Sequence, residues 1–321
     1  MNRIGVLTSG GDAPGMNAAI RAVARTAAYY GIECLGIRRG YNGLIGGDIQ
    51  ELHAADVNGI TNRGGTMLYT ARCPEFLTEA GMDKARSTCK YLGLDGIVCI
   101  GGDGTFRGAL DLSRLGVPTI GLPATIDNDI GCTNYSIGFD TACNTAIECI
   151  DRLRDTMQSH ERCSVVEVMG RNAGHLALYV GIACGAAAVL VPEREFDFEK
   201  DLVEKIRRAR IAGRTHFIII VAEGAARATD IGEQLKEAIG LDPRVTILGH
   251  IQRGGSPTAR DRVTASRMGI YAVETLRQGK SNRVVSIIDG NMQDFDIEDA
   301  LKMKRDLQSA MYDAAIILSQ G

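Results

Sequence analysis

Short apolar runs recur along the chain with no regular polar alternation inside them: Ile4–Leu7, Gly96–Ile100, Ser164–Val168, Ala188–Val191 and Phe217–Ala222. A strand wet on one face alternates, so these runs predict strands covered on both faces, as in parallel sheets between helices. Helical stretches separate them. One starts near Pro14, where a missing amide hydrogen costs nothing, runs to about Tyr30 and closes at Gly31. Arg21 and Arg25, four apart, then share a helical face. The last stretch, Ile297–Ser319, reads as one amphipathic helix packed on a lobe. The fold class is α/β, doubly wound, with mainly parallel sheets covered by helices on both faces.

Four strands run straight into glycine or acid: TSGGD, CIGGDGT, EVMGRNAG and VAEGAA. Ligands of such sheets bind beyond the carboxyl ends of the strands, so these turns are where chemistry is expected. With 321 residues the chain exceeds what one core usually serves, and two α/β lobes flanking a cleft are expected. The net charge of −3 offers no general attraction to nucleic acid or anionic membrane, so a phosphate site has to be built locally.

The opening MNRIGVLTSGGD reaches glycine and aspartate too soon for a signal peptide, and no apolar run approaches the roughly 20 residues that span a bilayer. A cytoplasmic protein is expected. Nine cysteines form no CxxC pair, which points to small buried hydrophobes rather than a zinc site or a disulfide framework.

Gly10-Gly11-Asp12 opens a helix, where free amides and the helix dipole attract phosphate; taken alone it is equally a plain tight turn. Gly101-Gly102-Asp103-Gly104-Thr105 sets a carboxylate among glycines after a buried strand, and Asp103 suits Mg²⁺, which favours one or two carboxylates plus phosphate oxygens. Two familiar nucleotide signatures fail. A dinucleotide fingerprint needs glycine where Arg107 stands, and Gly279-Lys280-Ser281 lacks the leading P-loop glycine, replaced by Glu274. A hydride-transfer enzyme and a P-loop ATPase lose ground accordingly.

Pro123-Ala124-Thr125-Ile126-Asp127-Asn128-Asp129 is the densest cluster. Extended alternation would point Asp127 and Asp129 to one side, so that one takes a hydroxyl proton while the other orients or assists a metal. The bland alternative is an Asx-turn cluster that only shapes a loop. Phosphoryl transfer also needs cations over a highly charged transition state, and Arg72, Arg162, Arg171, Arg244 and Arg253 are candidates. Arg171 and Arg253 stand out because MGRNAG and GHIQRGG present them from glycine-flanked turns.

GGDAPGMN, NRGGT, GGDGT, TIDND, MGRNAGHLA, AEG, LGHIQRGG and SPTARDRVTASRMG, in this order and spacing, resemble the bacterial ATP-dependent 6-phosphofructokinases over essentially the whole chain. The sugar enters only through this resemblance. It implies an ATP lobe of residues 1-138 plus 251-301 and a fructose 6-phosphate lobe of residues 139-250 plus 302-321. Gly11, Arg72, Cys73 and Gly102, Asp103, Gly104 and Thr105 would hold ATP, with Asp103 on Mg²⁺. Asp127 would be the base for the 1-hydroxyl of fructose 6-phosphate. Thr125, Ile126, Asp129, Met169, Gly170, Arg171 and Glu223 would position the sugar, and Arg72 and Arg171 would offset charge on the moving group. His250, Ile251, Gln252 and Arg253 would surround the 6-phosphate, which Arg162 and Arg244 reach from a neighbouring subunit. A homotetramer with shared active sites follows.

Pyrophosphate-using relatives carry aspartate after GGD and lysine before TIDND; Gly104 and Ala124 here favour ATP. Ala124 replaces the usual glycine and would tighten the site, while Thr105 for serine keeps the hydroxyl. In the family's effector site for ADP or phosphoenolpyruvate, Arg21, Arg25, Arg154, Gly185 and Arg214 match. Ala54, Ala212 and Thr215 replace cations and Ala187 replaces a glutamate, so altered regulation is expected. The rivals are a pyrophosphate-dependent phosphofructokinase and a catalytically silent nucleotide sensor, the latter disfavoured by retention of Asp103 and Asp127. The Asn134-Tyr135-Ser136 sequon and His53, His160 and His216 read as decoys, and His175 as a residue that orients its turn.

Overall fold

The structure is a computed structural model and describes residues 1–160 and 162–319. In chain order the elements are β1 (Arg3–Thr8), α1 (Met16–Tyr29), β2 (Glu33–Ile37), α2 (Tyr41–Gly46), β3 (Ile49–Glu51), α3 (Glu79–Tyr91), β4 (Gly96–Gly101), α4 (Asp103–Arg114), β5 (Thr119–Pro123) and α5 (Phe139–His160). They continue with β6 (Cys163–Val168), α6 (His175–Ala183), β7 (Ala188–Leu190), α7 (Glu204–Ile211), β8 (Phe217–Ala222), α8 (Ala228–Ile239), β9 (Arg244–Ile247), α9 (Ala259–Arg277), β10 (Arg283–Ile288), β11 (Asn291–Asp296), α10 (Ile297–Lys302) and α11 (Ser309–Ser319). Two compact units result: Met1–Thr141 with Arg253–Arg305, and Ala142–Gln252 with Asp306–Gly321.

The first unit carries a seven-stranded sheet in the order β11-β10-β5-β4-β1-β2-β3. Its five inner strands run parallel, and the two edges, β3 and β11, run antiparallel to their neighbours. The inner strands β1 and β4 are almost wholly buried, which is why their sequences show no polar alternation. Leu7, Ile37, Tyr41, Phe106 and Leu112 lie in its core. The second unit holds a four-stranded, all-parallel sheet, β7-β8-β6-β9, over a core that includes Val165, Leu190, Phe217, Ile219 and Leu235.

The stretch 297–319 is not one helix. Asp296 caps α10 by accepting the Glu298 amide at 2.8 Å, but at Met303 the backbone turns extended (φ −68, ψ 139). Arg305 explains the break, because its guanidinium donates to the carbonyls of Thr133 and, at 2.7 Å, Asn134. That tether within the first unit ends the helix, and α11 belongs to the second unit.

Seven of the nine cysteines are buried, and none is in a disulfide. Burial pushes the thiols of Cys34, Cys89, Cys99 and Cys163 up to about 12, so they stay protonated and inert. Among the described residues no helix is long and apolar enough to cross a membrane.

Candidate active site

In the first unit the chain leaves β1 towards β2 on one side and returns through β4 on the other, so the turns after β1 and β4 flank a topological switch point. Those turns are locked together. The Ser9 amide donates to the Ile100 carbonyl (3.0 Å), and the Thr105 hydroxyl donates to the Ser9 carbonyl (3.0 Å). Gly101 has no alternative here: a Cβ would lie 2.2 Å from Thr105 Oγ1 and 2.4 Å from the Ser9 carbonyl oxygen. The buried Tyr41 hydroxyl donates to the Thr105 carbonyl (2.5 Å), and its ring stacks on Phe76 at 4.3 Å. Sequence reasoning passed over Tyr41, whose only signal was its place beside Gly40 after a strand.

Helix α4 thus begins at Asp103 in a fixed position. Its N-cap residue, Gly102, gives no side-chain cap, Asp103 and Gly104 are exposed, and Thr105 is buried. An exposed carboxylate at an uncapped helix start, between two glycines, is a hard oxygen donor beside a phosphate-attracting dipole, and it fits Mg²⁺ arriving on phosphate oxygens.

The Gly10–Asp12 turn receives two further ties. Thr70 donates to the Gly10 carbonyl (2.6 Å), and the Arg253 guanidinium donates to the Asp12 carbonyl (3.0 Å). A Cβ on Gly11 would stand 2.6 Å from Arg253 Nη1, so glycine is what admits the guanidinium. Arg253 is therefore placed against the Gly11 turn. Arg72 is exposed two residues beyond Thr70, and half-buried Cys73 precedes a single 3₁₀ turn at Pro74–Leu77. Asn17 on α1 holds the NRGGT segment, donating to the carbonyls of Arg63 and Gly64 and accepting the Met67 amide (2.7 Å).

Beyond β5 the extended alternation expected for Asp127 and Asp129 does not occur. Thr125 Oγ1 accepts the Asp127 amide (3.2 Å), and Asn128 adopts a left-handed conformation (φ 52). Asparagine tolerates that region better than most residues, and here its Oδ1 accepts the Ser136 amide at 3.0 Å. The segment is a turn that both shapes the loop and carries the carboxylates. Thr125, Ile126 and Asp127 are buried, with Asp127 only 6% exposed, and Asp129 is half-buried. Ala124 is 1% exposed and its amide donates to the Gly101 carbonyl (2.9 Å), so its methyl packs inside protein.

In the second unit the turn after β6 is held by Glu223, which follows β8. Its Oε1 accepts the amides of Gly170 (3.2 Å) and Arg171 (2.7 Å), with Gly170 at φ 146 and Arg171 left-handed at φ 58. This arrangement leaves the Arg171 side chain exposed. After β9, the buried Gln252 accepts the Met169 amide (2.9 Å), while His250 and Ile251 are exposed. His175, buried, opens α6 directly after this turn.

Arg162 and Arg244 do not join that group. Arg162 immediately precedes β6 and Arg244 begins β9, both at the amino ends, where Ser164 pairs with Arg244 and the Arg244 guanidinium lies 4.0 Å from Asp242. At about 3.3 Å per residue, the length of β6 puts roughly 16 Å between them and the Met169–Arg171 turn. One phosphate cannot touch both ends of this sheet.

Of the effector candidates, Arg21 and Arg25 lie on α1, with Arg25 donating to Asn58 Oδ1. Arg154 donates to the Cys184 carbonyl beside Gly185, and Arg214 Nη1 is buried with no hydrogen-bond partner among the described residues. Ala54, Ala212 and Thr215 are exposed and Ala187 is half-buried.

Residues 3–276 match the family model described as Phosphofructokinase. The chain is 54% identical over 320 residues to an "ATP-dependent 6-phosphofructokinase" of Clostridium botulinum, covering 100% of both, and 54% identical over 319 residues to one of Clostridium novyi, covering 99% of this chain and 100% of that one. Phosphofructokinase from Saccharomyces cerevisiae superposes with TM-score 0.89 at 35% identity over 99% of this chain, which spans 48% of the yeast chain. A pyrophosphate-dependent phosphofructokinase of Marinobacter aquaeolei superposes with TM-score 0.87 over 100% of this chain and 92% of that one, but at 20% identity it speaks for the fold alone.

Proposed function

The chain belongs to the phosphofructokinase family, and on that premise we infer that it transfers a phosphoryl group from ATP to the 1-hydroxyl of fructose 6-phosphate, giving fructose 1,6-bisphosphate and ADP in glycolysis. The full-length 54% identity to ATP-dependent 6-phosphofructokinases carries this reading. Fold alone would not select the donor, because pyrophosphate-dependent enzymes share it. Gly104 and Ala124 add support for ATP, since neither offers a side chain that would fill the room of the nucleotide.

In the mechanism, Asp127 takes the proton of the 1-hydroxyl while that oxygen bonds to the terminal phosphorus and ADP departs with its own oxygen. Being 6% exposed, the carboxylate has little water competing for the hydroxyl. Thr125 and Asp129 flank the base, and Arg72 and Arg171 offset charge on the moving group. Gly11, Cys73 and the Gly102–Thr105 turn hold ATP; Asp103 holds the accompanying Mg²⁺, which when bound neutralises phosphate charge. Met169, Gly170 and Glu223 position the sugar, and His250 and Arg253 take its 6-phosphate.

Arg162 and Arg244 serve a neighbouring subunit's sugar phosphate, so the working unit is a homotetramer with shared sites. Their place at the amino ends of β6 and β9, roughly 16 Å from the turn that carries Arg171, supports this assignment.

The deciding experiment is fructose 1,6-bisphosphate formation from fructose 6-phosphate and Mg²⁺ with ATP or pyrophosphate, for the wild type and Asp127→Ser. Activity with ATP alone, reduced about a thousandfold or more in the variant, is the expected result. Turnover with pyrophosphate would reassign the donor. No turnover with either would favour a nucleotide sensor.

A further inference from the structure

We propose that Asp261, on the first turn of α9, is a positioning residue for phosphoryl transfer: it holds a strut, Tyr135–Gly138, that fixes the loop carrying Asp127. The proposal rests on the reading of Asp127 as the base.

Asp261 is wholly buried, and among the described residues no cation forms an ion pair with it. Its carboxylate accepts four hydrogen bonds instead: Oδ1 from the Tyr135 hydroxyl (2.5 Å) and the Gly138 amide (2.7 Å), Oδ2 from the Thr141 amide (2.9 Å) and hydroxyl (2.5 Å). The Thr141 hydroxyl oxygen in turn accepts the Thr258 amide (3.0 Å), and the Arg260 guanidinium covers the Tyr135 ring at 4.4 Å. Four donors on one buried carboxylate define its position closely, because losing any of them strands a polar group away from water.

The strut is two-sided. Tyr135 and Gly138 face Asp261, whereas the residues between them face the catalytic loop. The Ser136 hydroxyl donates to the Thr125 carbonyl (2.7 Å), its amide donates to Asn128 Oδ1 (3.0 Å), and the Ile137 amide donates to the Pro123 carbonyl (2.9 Å). Ser136 thus grips the loop on both sides of Asp127 and sustains the left-handed turn at Asn128. A base has to meet its proton within a few tenths of an ångström, so slack at Asp261 reaches the chemistry without any contact to substrate.

The test is Asp261→Asn, which keeps the shape but turns one acceptor oxygen into an NH₂ aimed at two donors. Expected is a fall in kcat of about tenfold or more, as for charged hydrogen bonds removed from a buried group. KM for ATP should stay within about twofold. Ser136→Ala should lower kcat as well, and the double variant should be little worse than the poorer single one, because both act through one strut. A folded Asp261→Asn enzyme with wild-type kcat, or additive losses in the double variant, would overturn the proposal. Should Asp261→Asn not fold, Tyr135→Phe, removing one donor of four, decides by the same criteria with an expected loss of about threefold. Asp127→Ser assayed alongside separates the failures: full activity there sinks the base assignment, whereas a dead Asp127→Ser beside an unimpaired Asp261→Asn sinks only the strut.

Discussion

The Glu223 carboxylate accepts the backbone amide of Arg171 at 2.7 Å, and the same oxygen holds Gly170, so an acidic residue fixes the turn that leaves the Arg171 side chain exposed. Arg171 lies at φ 58, a region costing about 1–3 kcal/mol for a non-glycine residue, which Glu223 offsets. Glu223→Ala should release the turn and raise KM for fructose 6-phosphate about tenfold. Glu223→Gln, which keeps an acceptor oxygen, should lose much less. Equal losses in steady-state assays of the two variants would show that charge, not the turn, is what matters.

Arg162→Ala and Asp127→Ser should each abolish most activity as pure proteins. If Arg162 serves a neighbour, unfolding and refolding the two together should restore activity in mixed oligomers, where some sites receive both intact residues. A mixture no more active than its components would show that each subunit supplies its own Arg162.

The side chain of Asp294 on β11 is 8% exposed and accepts from Tyr271 (2.8 Å) on α9 and Arg283 (2.5 Å) on β10. Burial pushes its carboxyl up, but the Tyr271 hydrogen bond and Arg283 outweigh that and hold it below the usual 3.8. A depressed folded value means stability that is complete above the unfolded value and is lost as pH falls through the folded one. Asp294→Asn should therefore lower Tm by about 3 °C or more at pH 7, with the gap to wild type closing below about pH 4. A gap of constant size in melts at pH 7 and pH 3 would refute this.

Ala54, Ala187, Ala212 and Thr215 carry no charge at the positions where the family resemblance implies an effector site, and Arg25 and Arg154 are already bound to Asn58 and to the Cys184 carbonyl. ADP or phosphoenolpyruvate should change KM for fructose 6-phosphate by less than about fivefold, below the usual range of allosteric coupling. Saturation curves with and without each effector measure it, and strong activation by ADP would contradict the reading.

Much of this protein was determined by local sequence. Strands β1, β4, β6, β7 and β8 were legible because burial on both faces removes polar alternation, and the turns after β1, β4, β6 and β8 were legible because a backbone that must approach phosphate needs glycine. The ordered motifs from GGDAPGMN to SPTARDR carried the family, and with it the ATP-dependent activity. Tertiary structure decided what depends on partners beyond the immediate neighbours along the chain. The stretch 297–319 has helical periodicity throughout, yet Arg305 reaches Thr133 and Asn134 and breaks it. The segment around Asp127 reads as extended, yet Ser136 folds it into a turn at Asn128. Asp261 stands 134 positions beyond Asp127 and gives no local sign of supporting it. Periodicity and spacing register a residue's neighbours along the chain, whereas a hydrogen bond that closes across more than a hundred residues exists only once the sheet has brought its two ends together.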